Sequence, residues 1–325
     1  GALPRSFDPV VKWTKSQFQV APSFDQVMMA PAVIDLDRDG VPEIIFSSYQ
    51  GGSAVLRVIR GDTGEEVFSV TDPDYLLYPA SGIAVGDLEG DGSIEIVGYT
   101  AQNEVVVFDA QGLPRWKRPA VWAYSTPALA DVDGDGIAEI LSAGTLLNHD
   151  GTPRWDRAPR EGTTNTLSGY GHSIFADLDL DGRPELIGGA AAYNADGDWL
   201  FGNTAEGNGF AAIGDFDGDG YPEIVSVNRS GLGVQLVDRL GAHRWTYIHT
   251  NHLGGFPLIA DLTGDGIPEI GIAGNTDYIV LDRDKRVLWS KSIDDPSSGS
   301  TGSSAFDFDA DGEYEVVFAD ERNLY

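Results

Sequence analysis

One acidic pattern recurs seven times along this 325-residue chain. It reads D-x-D-x-D-G-x-x-E and an apolar residue, starting at Asp35 (DLDRDGVPEI), Asp87 (DLEGDGSIEI), Asp131 (DVDGDGIAEI), Asp177 (DLDLDGRPEL), Asp215 (DFDGDGYPEI), Asp261 (DLTGDGIPEI) and Asp307 (DFDADGEYEV). Successive starts lie 52, 44, 46, 38, 46 and 46 residues apart. Length alone suggests about two domains of ~150 residues, but a repeat of this period overrides that expectation. It marks a fold assembled from copies of one supersecondary unit.

The flanks say which unit. Each copy follows a short run of small and apolar residues (PAVI, GIAV, PALA, SIFA, AAIG, PLIA, SSAF) and precedes a β-branched run such as EIIFSS or EIVSVN. These runs are too short for helices and are punctuated by Gly and Pro, so both read as strands. A third alternating run follows, as in Val105 to Asp109, then a Gly-containing turn and an aromatic: Phe68, Trp116, Trp155, Trp199, Trp245 or Trp289. Four antiparallel strands per repeat predict an all-β fold, a seven-bladed β-propeller of four-stranded antiparallel blades. The last repeat reaches Tyr325 before its fourth strand. Residues 7–16, containing Trp13, are therefore expected to complete the blade begun at 303–325, so that N- and C-terminal segments share one blade. The chain 1–325 reads as a single domain excised from a longer polypeptide. Six of its seven tryptophans are expected to pack blade on blade, leaving Trp122 over.

The loops themselves carry the chemistry. Alternate side chains of a tight loop converge, the glycine at position 6 permits a positive φ, and the carbonyl at position 7 adds an oxygen. Oxygen ligands without His or Cys select Ca²⁺, with Mg²⁺ the weaker alternative because it demands octahedral geometry. The predicted ligand sets are Asp35, Asp37, Asp39, Val41 and Glu43; Asp87, Glu89, Asp91, Ser93 and Glu95; Asp131, Asp133, Asp135, Ile137 and Glu139; Asp177, Asp179, Asp181, Arg183 and Glu185. The later loops give Asp215, Asp217, Asp219, Tyr221 and Glu223; Asp261, Thr263, Asp265, Ile267 and Glu269; Asp307, Asp309, Asp311, Glu313 and Glu315. Up to seven Ca²⁺ are expected, one per blade. Thr263 replaces an acid at position 3, so the Asp261 loop is expected to be the weakest, and Glu89 is one methylene longer than Asp. Plain Asp/Gly β-turns are the competing reading. It leaves three or four carboxylates repelling one another within a few ångströms. An EF-hand would need flanking helices and a Glu at position 12.

Charge fits this reading. The chain holds 51 Asp and Glu against 21 Lys and Arg, a net charge of −30, and no cysteine. Nucleic acid and anionic membrane surfaces are disfavoured as partners, and thiolate metal sites and disulfides are impossible. The 42% hydrophobic content excludes a disordered acidic tail. Of the 51 acids, 27 occupy positions 1, 3, 5 and 9 of the loops, and seven bound Ca²⁺ would bring the net charge from −30 to −16. Apolar runs such as 186–193 are far shorter than the ~18 residues of a spanning helix, and the N-terminal residues lack a signal-peptide apolar region. Membrane insertion is not expected.

The D-x-D-x-D-G-x-x-E loops, preceded by G/S/P-x-A strands, resemble the FG-GAP or VCBS repeats of integrin α-subunit propellers and many bacterial secreted proteins. The resemblance covers essentially the whole chain. It implies calcium loops between the first and second strands of each blade on one rim, and an adhesion module, lectin, toxin component or polysaccharide lyase as the activity. An extracellular location is expected, because weak calcium sites fill only outside the cell. The leading expectation is a monomeric binding or adhesion module whose glycan or protein ligand docks opposite the loops, near Trp122, Tyr124, Tyr170, His172, His249 and His252. A calcium-dependent lyase using Arg160 and His172, or Lys117 and Arg118, is the alternative; a structural spacer is a third. Arg60-Gly61-Asp62 spells an integrin-recognised tripeptide but sits where the other repeats have a hairpin turn. Asn228-Arg229-Ser230 is a glycosylation sequon, relevant only in a eukaryotic secretory host.

Overall fold

The computed structural model describes residues 10–120, 125–142, 144–156, 172–189, 191–202, 209–228, 233–249, 254–296, 301–308 and 314–325. Its described residues form 26 strands and one short 3₁₀ turn, Pro73–Tyr75. Six sheets are four-stranded antiparallel meanders in sequence order: β1–β4 (residues 32–70), β5–β8 (84–119), β9–β12 (128–156), β13–β16 (174–202), β17–β20 (209–248) and β21–β24 (258–292). The seventh, among the described residues, has two strands, β25 (Ser303–Phe306) and β26 (Glu315–Phe318). This is a propeller-like all-β architecture. The described residues divide into two compact units, one within 10–175 and one within 176–325.

Burial follows the sequence pattern strand by strand. The second and third strands are buried on both faces, as in Glu95–Tyr99 and Gly233–Val237. They therefore read as continuous apolar runs rather than alternating ones. Successive residues feed two different cores: on β7 (Glu104–Phe108), Val106 and Phe108 pack with Leu56 and Val58 of sheet one, whereas Val105 and Val107 pack with Ile140 and Leu147 of sheet three. Sheet five meets sheet six in the same way, through Val225, Val234, Ile270 and Ile279. Within each unit the first strands of consecutive sheets are neighbours, β1 with β5 and β5 with β9, then β17 with β21 and β21 with β25.

A recurring wedge joins sheet to sheet. Phe68 lies against Gly112 at the next sheet's hairpin, and Trp116 against Gly151 while donating to the His149 carbonyl at 2.9 Å. These hairpin glycines hold φ of +78° and +83°, and a Cβ there would strike the ring, so two demands select glycine. Trp245 donates to the Arg283 carbonyl at 2.7 Å. Trp13 makes the equivalent contact with sheet one, lying on Gly64 and donating to the Gly61 carbonyl at 3.1 Å. Residues 10–18 are nevertheless in no strand, and no described residue of that segment pairs with β26.

One assignment needs correcting. In sheet four the wedge is Phe201, not Trp199. Phe201 pairs with Ala192 in the register that Trp116 shares with Val107 and Trp245 with Leu236. It lies on Gly241 of sheet five. Trp199 turns back on its own sheet, edge-on to Tyr193 at 5.2 Å. Trp289 likewise stacks on Tyr278 of its own sheet at 5.7 Å.

Candidate metal centres

Each acidic loop joins the first and second strands of its sheet, as the spacing requires. Its frame is built from four recurring features. The position-2 side chain is core: Leu36, Leu88, Val132, Leu178 and Phe216 are each at most 5% exposed. The position-2 amide donates to Oε2 of the position-9 glutamate in all seven loops, from Leu36 to Glu43 at 2.9 Å through Phe308 to Glu315 at 2.9 Å. The position-6 glycine, with φ between +87° and +89° in six loops, donates its amide to Oδ2 of the position-1 aspartate. The position-7 amide donates to Oδ1 of the position-5 aspartate, as Val41 does to Asp39 at 2.8 Å.

The position-9 glutamate is thus held by these bonds through Oε2 alone, whereas the second oxygen of the position-1 aspartate also accepts a loop amide in five loops, from Asp91, Asp135, Asp181, Gly218 and Asp265. In the first loop the consequence is plain: Asp35 Oδ1 and Glu43 Oε1 are buried with no hydrogen-bond partner. Even a neutral polar group buried without a hydrogen bond costs on the order of 2–7 kcal/mol, and an ionised carboxylate costs more. A hard cation with oxygen ligands answers that deficit, so these residues fit Ca²⁺. Carboxylate oxygens of three acids approach within 4.8 Å of one another in four loops: Asp35, Asp37 and Asp39; Asp131, Asp133 and Glu139; Asp177, Asp179 and Glu185; Asp215, Asp217 and Glu223.

Burial pushes the carboxyls of Glu43, Glu95, Glu139, Glu185, Glu223 and Glu269 up, and neighbouring aspartates such as Asp37 and Asp39 around Glu43 push further. Their ionised form is thus disfavoured unless a positive charge arrives. Asp39 runs the other way, held low first by its bond to Arg60. Asp91 is held low by the Ser93 amide.

The remaining loops differ for visible reasons. Thr263 donates to Glu269 Oε1 at 3.2 Å, so the Asp261 loop offers a hydroxyl where the others offer a third acid. Glu89 is drawn to Arg115 at 2.8 Å. Asp307 and Glu315 are described, whereas Asp309, Asp311 and Glu313 lie outside the described residues. Adjacent loops of sheets one to three sit side by side on one rim: Arg38 reaches Gly92, and Ala138 donates to the Leu88 carbonyl at 3.1 Å.

Comparison with solved structures places the whole chain. No protein-family profile and no curated protein matches it. The Vibrio cholerae biofilm matrix protein Bap1 superposes with a TM-score of 0.81 at 18% identity, over 97% of this chain and 81% of that one. The rhamnogalacturonan lyase YesW gives 0.64 at 16% identity, over 96% and 73%. The Bacillus licheniformis rhamnogalacturonan lyase PL11 gives 0.62 at 18%, over the same shares. At such identities the likeness shows the fold alone.

Most of the expected ligand residues fall outside what the structure describes. Trp122, Tyr124, Tyr170, His252 and Arg160 lie outside the described residues. His249 Nε2 meets Asp277 Oδ2 at 3.0 Å beside Tyr247, whose ring centre is 6.2 Å away. Burial, then Asp277, pushes the Tyr247 phenol up. Phe210 and Phe18 are core residues, 2% and 7% exposed. The Arg60-Gly61-Asp62 tripeptide is internally satisfied: Arg60 pairs with Asp62 at 3.1 Å and with Asp39 at 2.7 Å. A Cβ on Gly61 would strike the Pro42 carbonyl. Asn228 ends β18, and Arg229 and Ser230 lie outside the described residues.

Two structural arginine roles were not read from sequence. Arg57, fully buried in β3 (Ser53–Arg60), spends all five N–H donors: Nε on Ser48, Nη1 on Val20 O and Ser69, Nη2 on Ala21 O and Phe24 O. Burial lowers its pKa. It fastens residues 18–24 to sheet one. The second role belongs to the fourth strands and is taken up below.

Proposed function

We propose that this chain is a calcium-stapled seven-bladed propeller of the FG-GAP/VCBS type, closed by its termini, that works outside the cell as a binding module for a glycan or protein. The orphaned pair Asp35 Oδ1 and Glu43 Oε1 carries the calcium part, supported by the backbone frame that recurs in the six loops described throughout. Each loop would use the acids at positions 1, 3, 5 and 9 and the position-7 carbonyl. The cation would supply a charge that cross-links the end of each sheet's first strand to the start of its second. Likeness to a biofilm matrix protein supports the binding role, with the ligand on the rim opposite the loops, near His249.

A lyase is the second reading, favoured by likeness to two rhamnogalacturonan lyases and by the His249–Asp277 pair, whose carboxylate orients an imidazole able to take a proton. A glycan array run beside a lyase assay on acidic polysaccharides separates the two. Binding without new unsaturated ends supports the module, and unsaturated ends lost in His249→Ala support the lyase. Neither binding nor turnover contradicts both.

A further inference from the structure

The residue before the wedge aromatic on each fourth strand is Val67, Arg115, Arg154, Leu200, Arg244 or Leu288. In sheets two, three and five it is an arginine that reaches into its own sheet's acidic loop, in sheet five at position 3 alone, with Arg244 Nη2 3.5 Å from Asp217 Oδ2. Arg115 Nη1 lies 2.8 Å from Glu89 Oε1 and 3.2 Å from Glu95 Oε1. Arg154 repeats this, with Nη2 2.7 Å from Asp133 Oδ2 and Nη1 2.9 Å from Glu139 Oε1. Both guanidinium groups bridge positions 3 and 9. Both take the glutamate oxygen that the position-2 amide leaves over, the oxygen left without a partner in Glu43. Sheet four carries Leu200, 47% exposed, at this place, while Asp177, Asp179 and Glu185 converge as closely as the others.

We propose that Arg115 and Arg154 are resident counter-ions that compete with the cation for the position-3 and position-9 carboxylates, and so set which loops fill first. This rests on the calcium reading above. A cation bound at about 2.3–2.6 Å from those oxygens needs the lone pairs the guanidinium holds. It therefore enters only as the arginine withdraws. The Asp177 loop fills at the lowest calcium and, once chelation empties it, loses its shape. Among the loops with four acids, those at Asp87 and Asp131 fill last and keep their shape without metal.

The test uses the whole chain and loop-resolved hydrogen exchange across a Ca²⁺ titration from chelator to millimolar. Arg154→Leu installs the residue that sheets four and six already carry; Leu200→Arg makes the converse change on an exposed site. Arg154→Leu is expected to shift the midpoint of residues 131–139 about tenfold lower and to make their protection chelator-sensitive. Leu200→Arg is expected to shift residues 177–185 about tenfold higher, other loops being unchanged in each case. Calcium-dependent protection with the same midpoints in wild type and both variants overturns the competition while leaving the calcium reading intact. No calcium-dependent protection anywhere in the wild type overturns both. Should Arg154→Leu fail to fold, Leu200→Arg decides alone.

Discussion

A glutamate at position 9 has two jobs that its two oxygens divide. In Glu43, Oε2 holds the loop by accepting the position-2 amide, and Oε1 is left without a partner, where the proposed cation would bind. Glu43→Gln separates them, since the amide oxygen can still accept while the other end becomes a donor. The metal-free variant is expected to be at least as stable as wild type, because a buried charge beside Asp35 is gone. Its calcium-induced stabilisation should fall by about 2.7 kcal/mol at a hundredfold excess over the site's dissociation constant. Thermal melts with and without calcium measure both. Arg57 presents the opposite case, a buried cation satisfied entirely by neutral oxygens. Arg57→Met would leave three carbonyls and two hydroxyls without their donor, at about 3 kcal/mol. Exchange protection of residues 18–26 is expected to be lost first. The ligand place of Glu43 was legible in the sequence; its hold on the position-2 amide and the role of Arg57 were not. Nothing local in SAVLRVIR marks Arg57 as buried, and only the fold brings residues 18–24 over that position.

At the scale of the element, the strands were legible because their runs are short, β-branched and spaced by turns. The wedge of sheet four was misread because tryptophan attracts the eye. The turn glycine gives the better signal: the aromatic follows four residues after Gly64, Gly112, Gly151, Gly197 and Gly241, which selects Phe201. Phe201→Ala should therefore destabilise by about 2 kcal/mol, more than Trp199→Ala costs at the contact between sheets four and five. Chemical denaturation of the two variants checks the order. Sheets six and seven are joined by Tyr278, whose hydroxyl meets Ser303 Oγ at 2.7 Å. Burial pushes this phenol up to about 12. A folded-state value above the unfolded ~10 means stability complete below pH ~10 and lost as pH rises towards 12, on the order of 2 kcal/mol. Tyr278→Phe should flatten that alkaline loss in pH-dependent melts.

At the scale of the molecule, a net charge of −30 is compatible with a compact fold because the acids are gathered in loops with a common frame. That gathering was readable from the spacing alone. Which loops meet an internal arginine was not, because the pairing depends on which strand end faces which loop. The central claim is that cations hold this architecture together. It is tested most directly by metal analysis of the purified protein followed by calorimetric melting across a calcium titration. The account predicts several bound Ca²⁺ per chain and a midpoint that rises by several degrees between chelator and millimolar calcium. A protein that retains no metal and melts at one temperature throughout would contradict it.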